Sequence, residues 1–200
     1  MKPIIIDDCI GHKFQNLVAG TLFNSNFPWF YQHDITFRRG VNDLPVRNGG
    51  FAHMIYDNIE KIRSEFYSLA LPIVLEASEK ANIEFGHAGI VRAFMQMPSN
   101  HDIEDSVNYP HIDIILPHTV FLYYVNDSDG DTVLYEQTSP ETTKEEAQSG
   151  NLTEYMRIKP KKGRGVFFNG LQFHASSIPT TNPRAVINFN LFTENNVGQE

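Results

Sequence analysis

Two residues near the middle of the chain, His111 and Asp113, have side chains and a spacing that suit a metal ion. Successive side chains of an extended strand point to opposite faces, so an imidazole and a carboxylate separated by one residue point the same way. Such a pair supplies two of the ligands that a divalent metal needs. The same spacing also occurs on solvated strand faces, so a third ligand from elsewhere in the chain decides between the two interpretations.

His174 is the candidate for that third ligand. It lies at the end of a segment with strand character, GVFFNGLQFHA, and a polar loop separates it from Arg184. Two histidines and one carboxylate on one face of a metal form the facial triad of non-haem iron(II) oxygenases, which leaves the other coordination positions open. The guanidinium of Arg184 offers paired donors that match a carboxylate. The direction of the nearby His118 side chain is not predicted, because a proline precedes it.

The chain from about residue 89 to residue 193 resembles the 2-oxoglutarate/Fe(II)-dependent dioxygenases, specifically their prolyl-4-hydroxylase-like branch. The resemblance rests on YPHID around the first two candidate ligands, on LYYVNDSDGDTVLY and on IKPKKGRGVFFNG. The last two segments are similar to the family's strand with an Asn-Asp turn and to its Pro-x-x-Gly turn before the strand that leads to the distal histidine. His174 and Arg184 occupy the matching positions downstream.

The resemblance implies a metal centre and a reaction. His111, Asp113 and His174 would be the catalytic ligands of Fe(II). Dioxygen and the co-substrate 2-oxoglutarate would be consumed, succinate and carbon dioxide would be released, and an unactivated C–H bond would be hydroxylated, with ascorbate as reductant. Relatives that halogenate carry a small residue at the position of Asp113, so an acid there favours hydroxylation.

The resemblance also implies contacts to the co-substrate. Arg184 would pair with the C5 carboxylate of 2-oxoglutarate, and Tyr123 would help to hold that carboxylate. Asn188 would line the pocket near the metal, and Asn190 would lie at the pocket mouth. One position departs from the family's pattern: relatives often carry a tyrosine near the end of the strand where this chain has Gln96, which either supplies the polar contact or leaves it missing.

The first half of the chain is expected to supply helices that cover a sheet. A helix over residues 7–20 would be capped by Asp7 or Asp8 and stopped by its final glycine. A second helix over residues 56–80 has apolar residues at helical spacing and would be kinked or split by Pro72.

Between these helices, residues 27–32 predict an aromatic strand and residues 36–50 predict a long loop. Long loops often serve as lids. The three arginines of this loop, Arg38, Arg39 and Arg47, belong either to a solvated charged loop or to a mobile flap that receives an anionic or acidic substrate.

The second half is expected to consist of short strands joined by turns. Asp129-Gly130 is typical of a hairpin turn, and the acidic segment 138–151 is expected to be a mobile insertion. The predicted strands cover residues 89–98, 111–116, 120–126, 132–136, 155–158, 166–169 and 185–193. Together the elements predict a mainly β protein with N-terminal helices (α+β). Its core would be a double-stranded β-helix, or jelly roll. A single domain over residues 1–200 follows, with a helical buttress and first strands in 1–88 and the jelly-roll core in 89–193.

Charge and composition narrow the classes of partner. The formal net charge of −8 counts against duplex nucleic acid, because the chain as a whole repels phosphate groups. A single cysteine excludes an internal disulfide and fits a reducing compartment. No apolar stretch approaches the roughly 20 residues of a membrane helix, and the N-terminus has no signal-peptide pattern. The sequence therefore predicts a soluble cytoplasmic protein without a membrane partner.

Four functions remain open at this point. The first is a hydroxylase of peptidyl proline, and the second is a hydroxylase of a free amino acid or another small molecule. The third, from a different class, is a catalytically silent jelly-roll (cupin-like) binding module. The fourth is a metal-dependent isomerase of cupin type, which has no need for Arg184 and Tyr123. An intact triad together with Arg184 favours an enzyme, whereas the sequence does not identify the substrate.

Overall fold

The computed structural model describes residues 1–39, 45–58, 61–99 and 107–193, and within residues 34–48 it describes no side chains. These residues form three helices and eleven strands. In chain order they are β1 (Ile4–Ile6), α1 (His12–Leu22), β2 (Phe30–Arg39), β3 (Pro45–Asp57), β4 (Lys61–Ile62), α2 (Tyr67–Ala81), β5 (His87–Gln96), β6 (Thr119–Tyr124), β7 (Thr132–Thr138), α3 (Lys144–Gln148), β8 (Glu154–Ile158), β9 (Gly165–Asn169), β10 (Gln172–Ser176) and β11 (Arg184–Phe192).

The strands form two sheets of unequal size. The large sheet has the order β1-β9-β6-β11-β5-β3-β2, with β4 paired to β3, and the small sheet has the order β10-β7-β8. Every pairing between neighbouring strands is antiparallel. No helix in the described part of the chain has the length and apolar character of a membrane span.

Two apolar clusters show how the helices and the two sheets pack against one another. One lies between the helices and the large sheet and includes Ile73 of α2 and Tyr123 of β6. The other lies between the two sheets and includes Leu122 of β6 and Leu134 of β7. Side chains alternate along β6, so the apolar sequence TVFLYY contributes to both clusters. The large sheet is therefore covered by helices on one face and by the small sheet on the other.

The first helix does not begin where the sequence predicts. Helix α1 has Gly11 at its N-cap with no side-chain cap, and it continues through Gly20 to Leu22. The predicted caps have other partners, because the carboxylate of Asp7 bonds Arg164 and that of Asp8 accepts from Gln15. An interior glycine costs a helix only about 1 kcal/mol, which the buried face of α1 offsets.

The second predicted helix is wrong in its first part. Residues 45–57 belong to β3, which pairs with β5, and α2 begins only at Tyr67. Alternate burial of His53 and Ile55 gives this stretch the period of a strand. Pro72 lies inside α2 without dividing it.

The predicted loop over residues 36–50 is also wrong. β2 and β3 pair in antiparallel register from Thr36 opposite Asn48 to Arg39 opposite Pro45, so most of this segment is a hairpin. Residues 40–44 and the side chains of the three arginines lie outside the described residues. The idea that those arginines receive a substrate stays a prediction.

Three expectations in the second half need correction. The segment around Asp129-Gly130 is not a hairpin turn, because β6 pairs with β9 and β11 whereas β7 pairs with β8 and β10. It carries the chain from the large sheet to the small one. Residues 111–116 form no strand, since only His111 makes a bridge, to His174. The acidic insertion contains α3, whose N-terminus is closed by a capping box between Thr143 and Glu146.

Candidate metal site

A cavity of about 630 Å³ lies between the two sheets. This volume is in the range of small-molecule sites in proteins. The strands of the large sheet contribute its floor, and β7 and β10 contribute the opposite wall. Its polar lining is concentrated around two places, a cluster of histidine and carboxylate side chains and a buried arginine.

His111, Asp113 and His174 meet at one wall of this cavity, and one ligand atom from each lies within 4.8 Å of the others. Nε2 of His111 is 3.8 Å from Oδ1 of Asp113, and Nε2 of His174 is 3.9 Å from the same oxygen. A first-row divalent metal binds such atoms at about 2.0–2.2 Å, so atoms spaced this way fit around one ion. The donor set is that of a facial triad.

The backbone brings the two histidines together by a route that the sequence did not predict. The N–H of His111 donates to the carbonyl oxygen of His174, and the N–H of His174 donates back, each over 2.9 Å. The chain then bends, and Asp113 reaches the same place from outside any strand. The predicted cluster is present, but the predicted cause, two side chains on one face of a strand, is wrong.

Two asparagines of β11 fix the orientation of the carboxylate. Nδ2 of Asn188 and Nδ2 of Asn190 donate to Oδ2 of Asp113 over 2.8 and 2.9 Å. The other oxygen, Oδ1, is left facing the two imidazoles. Asn188 lines the cavity as predicted, whereas Asn190 is 1% exposed and does not lie at the mouth. Nε2 of His118, a residue given no role from sequence, lies 3.3 Å from the amide of Asn190.

The protonation states of the cluster suit metal binding. Burial lowers the pKa of His174 to about 4, the neighbouring His111 acts in the same direction, and Asp113 opposes it. Nδ1 of His174 lies 3.1 Å from the carbonyl oxygen of Gln172, which can only accept, so Nδ1 carries the proton and Nε2 has a free lone pair. Burial alone would raise the pKa of Asp113, but the imidazoles and the two amides outweigh it and hold that pKa below its ordinary value.

Arg184 lies at the other polar end of the cavity and is 6% exposed. Its Nε donates to the carbonyl oxygen of Gly130 over 2.9 Å, and Nη2 donates to Oγ1 of Thr132 over 2.7 Å. The Tyr124 hydroxyl donates to the same Thr132 oxygen over 2.7 Å. Burial lowers the pKa of Arg184, yet a guanidinium stays charged in a protein. No carboxylate of the described residues forms an ion pair with it, and its hydrogen-bond partners there are neutral.

Gln96 belongs to the same end of the cavity. It lies opposite Arg184 in the pairing of β5 with β11, and its Oε1 is 3.5 Å from Nη1 of that arginine. Its Nε2 donates to Oγ of Ser176 over 3.0 Å. Gln96 therefore places a polar side chain beside Arg184, and its contact with the co-substrate stays a prediction.

Tyr123 is not in the cavity, and its predicted position there is wrong. Its side chain is fully buried in the cluster between the helices and the large sheet, and its hydroxyl has no hydrogen-bond partner among the described residues. Burial raises the pKa of this hydroxyl. The neighbouring Tyr124 points to the opposite face of β6 and lies beside Arg184, with the guanidinium carbon 5.8 Å from the ring centroid.

No protein-family model matches this sequence, and no curated protein matches it either. Solved structures do. A prolyl-4-hydroxylase from Pseudomonas putida matches with a TM-score of 0.57 at 9% identity, over 96% of this chain and 92% of that chain. HygX from Streptomyces hygroscopicus, solved with nickel and 2-oxoglutarate bound, matches with a TM-score of 0.61 at 14% identity, over 96% and 83% of the two chains.

A third structure is a prolyl hydroxylase from Trichoplax adhaerens, solved with a peptide fragment of the oxygen degradation domain of hypoxia inducible factor. It matches with a TM-score of 0.53 at 16% identity, over 96% of this chain and 84% of that chain. The fold is that of the 2-oxoglutarate/Fe(II) oxygenases. This likeness confirms the predicted jelly roll, and the residues in the cavity carry the argument about function.

Proposed function

We propose that this chain is an Fe(II)- and 2-oxoglutarate-dependent dioxygenase that hydroxylates a C–H bond and releases succinate and carbon dioxide. One observation carries the proposal. A metal-binding triad and a buried arginine without a carboxylate partner among the described residues face the same cavity. A cupin-like binding module needs no such pairing of sites.

The two polar ends of the cavity would bind different parts of the co-substrate. Bound Fe(II) would supply the activation of dioxygen and the oxidation of the C–H bond. His111, Asp113 and His174 would hold it, and the Asn188 amide keeps the carboxylate of Asp113 turned toward it. Arg184 would receive the C5 carboxylate of 2-oxoglutarate.

The hydroxyl of Thr132 also takes part. Its oxygen already accepts from Tyr124 and from Arg184, so its own proton is available to a ligand oxygen in the cavity. Phe94, Phe168 and other apolar side chains line the space between the two ends and keep the local dielectric constant low. A low dielectric strengthens the attraction between the guanidinium and the carboxylate, and exclusion of water limits side reactions.

Peptidyl proline is one candidate substrate, since two of the structures with this fold are prolyl hydroxylases. A free amino acid or another small molecule is the alternative. Both use the same metal centre and the same co-substrate.

The proposal is tested by titrating 2-oxoglutarate into Mn(II)-loaded protein by calorimetry. Succinate release is measured in parallel with Fe(II), 2-oxoglutarate and ascorbate. Arg184→Met should weaken 2-oxoglutarate binding about 100-fold, because a buried carboxylate loses its charge partner. His174→Ala should abolish metal binding and turnover, because two ligands remain at a site built for three.

Arg157→Met is the matched control, since this guanidinium pairs with Glu154 outside the cavity. Its affinity for 2-oxoglutarate should equal that of the unaltered chain. Absence of metal-dependent 2-oxoglutarate binding in the unaltered chain would refute the proposal, and full affinity in Arg184→Met would mean that another residue anchors the co-substrate.

A further inference from the structure

A second arginine, Arg92 on β5, lines the same cavity. It lies opposite Asn188 of β11 and opposite Met54 of β3. Its Nε is buried and has no hydrogen-bond partner in the described part of the chain. No ion pair or hydrogen bond joins its guanidinium to any side chain in the part of the chain that the structure describes.

The neighbourhood of Arg92 holds the guanidinium without neutralising it. Its central carbon lies 5.0 Å from the centroid of the Phe94 ring, a cation–π arrangement that orients the group. Met54, opposite it on β3, offers no acceptor, and the carboxamide oxygen of Asn188, opposite it on β11, is buried and makes no hydrogen bond with the described residues. Burying a cation whose N–H has no acceptor costs folding free energy. The position of Arg92 in the cavity therefore indicates a ligand group that accepts this hydrogen bond.

Arg92 and Arg184 differ in position and in surroundings. Arg184 is four residues from Asn188 along β11, or about 13 Å between Cα atoms, whereas Arg92 is directly opposite Asn188. Asn188 holds Asp113, so Arg92 lies at the metal end of the cavity. Arg184 has its own neutral acceptors, Gly130 and Thr132, whereas Arg92 donates no hydrogen bond to a side chain among the described residues.

The charges of the site point to a second anion. With a divalent metal and the dianion of 2-oxoglutarate bound, the charges of the metal, Asp113, Arg184 and the co-substrate cancel. The charge of Arg92 then remains, in a cavity where unpaired charge is unfavourable. The primary substrate is the molecule left to neutralise it.

We infer that Arg92 binds a carboxylate of the primary substrate, and that this substrate is a small molecule with a free carboxylate on an apolar body. The inference rests on the proposed function, whose substrate class it specifies. An internal residue of a peptide has no main-chain carboxylate to offer. Arg92 is thereby assigned to substrate selection, and Arg184 to the co-substrate.

The test compares matched carboxylates and carboxamides. Benzoate, phenylacetate and hexanoate, their three amides and a proline-containing peptide with blocked termini are titrated into protein loaded with Zn(II) and 2-oxoglutarate, and binding is followed by ligand-observed NMR. The unaltered chain should bind at least one acid about tenfold or more tightly than its amide. Arg92→Met should lose that preference, and Arg92→Lys should retain part of it.

Two controls make the outcome decisive. Arg157→Met removes a guanidinium outside the cavity and should keep the preference of the unaltered chain. A calorimetric titration of 2-oxoglutarate into each variant separates the two arginines, because Arg92→Met should keep the affinity that Arg184→Met loses. If Arg92→Met does not fold, the comparison of acid with amide in the unaltered chain and in Arg92→Lys remains available.

Several results would overturn the inference. They are equal binding of acids and amides, no binding of any acid, an intact preference in Arg92→Met, or binding of the blocked peptide in preference to all acids. Loss of 2-oxoglutarate affinity in Arg92→Met would make Arg92 a co-substrate residue instead. If the unaltered chain binds metal and 2-oxoglutarate but shows no preference for acids, this inference fails and the proposed function stands. If it binds neither, the proposed function fails.

Discussion

At the scale of single residues, the two oxygens of Asp113 have different partners. Oδ1 faces the imidazoles, and Oδ2 accepts from two asparagine amides. We expect Asn190→Ala and Asn188→Ala each to lower the affinity for Mn(II) about tenfold, because partners that orient a metal ligand contribute about 10–100-fold. Calorimetric titration of Mn(II) measures this effect. The control is Asn16→Ala, which removes a surface asparagine bonded to Lys162 and should leave the Mn(II) affinity unchanged. Equal Mn(II) affinities in the unaltered chain and the three variants would show that the amides do not position the carboxylate.

The two adjacent tyrosines of β6 give opposite expectations. Tyr123→Phe should leave 2-oxoglutarate affinity unchanged and should not lower the free energy of unfolding, because its buried hydroxyl bonds none of the described residues. Tyr124→Phe should weaken 2-oxoglutarate binding about fivefold, because it removes a hydrogen bond of about 1 kcal/mol to the Thr132 oxygen that also supports Arg184. Calorimetry on the two variants distinguishes them, and a loss confined to Tyr123→Phe would reverse the assignment.

Residue types and order were sufficient to predict that His111, Asp113, His174 and Arg184 share one site. They could not decide which of Tyr123 and Tyr124 faces the cavity. A shift of one residue along a strand exchanges its two faces, and in β6 both faces are buried and apolar. The pairing of Asn188 with Asn190 had a usable signal, since residues two apart on one strand share a face. The contact of His118 had none, because it depends on how the loop after Asp113 bends.

At the scale of elements, β1 is tied to the turn between β8 and β9 by one carboxylate. Asp7 accepts from Nε of Arg164 over 2.6 Å and from Lys161 over 3.1 Å. The hydrogen bond from Arg164 lowers the pKa of Asp7 to about 2, against the opposing effect of burial. A carboxylate whose pKa is depressed on folding stabilises the protein above its ordinary pKa, 3.8 here, and loses that contribution as the pH falls toward the folded value.

We therefore expect Asp7→Asn to reduce the free energy of unfolding at neutral pH, and we expect this reduction to vanish as the pH falls below about 2. The groups are partly exposed, so the contribution is at most about 1 kcal/mol. Urea unfolding of the unaltered chain and of Asp7→Asn across this pH range measures it. Arg164→Gln should reproduce the loss, and a difference between the two chains that grows as the pH falls would contradict the sign.

Elements were predictable where both faces of a strand are buried. β6, β9 and β11 are close to continuous apolar runs, and their limits differ from the prediction by only a few residues. The hairpin of β2 and β3 was missed, because its residues include glycine, asparagine and arginine, which are typical of loops. Its pairing comes from a partner strand and from β5, and neither contact is visible in a local pattern.

At the scale of the whole molecule, the helical layer is a large part of the folded core. Ile73 of α2 is fully buried against the large sheet, whereas Leu75 on the same helix is 49% exposed. Ile73→Ala should lower the free energy of unfolding by about 2–5 kcal/mol through lost burial and a residual cavity. Leu75→Ala should change it by less than about 1 kcal/mol. Urea unfolding compares them, and similar losses in both would show that α2 is not packed as described.

The ligand cluster also has a consequence for cohesion between the layers. His174 belongs to the small sheet, His111 is hydrogen-bonded to it, and Asp113 is held by amides of the large sheet. A metal ion bound to all three residues would link the two sheets, so the sheets could not separate on unfolding without releasing the ion. Free metal at 100 times its dissociation constant would raise the free energy of unfolding by about 2.7 kcal/mol. Heat resistance would then follow the availability of iron, and in iron-poor conditions the empty protein would be the form most exposed to unfolding and proteolysis.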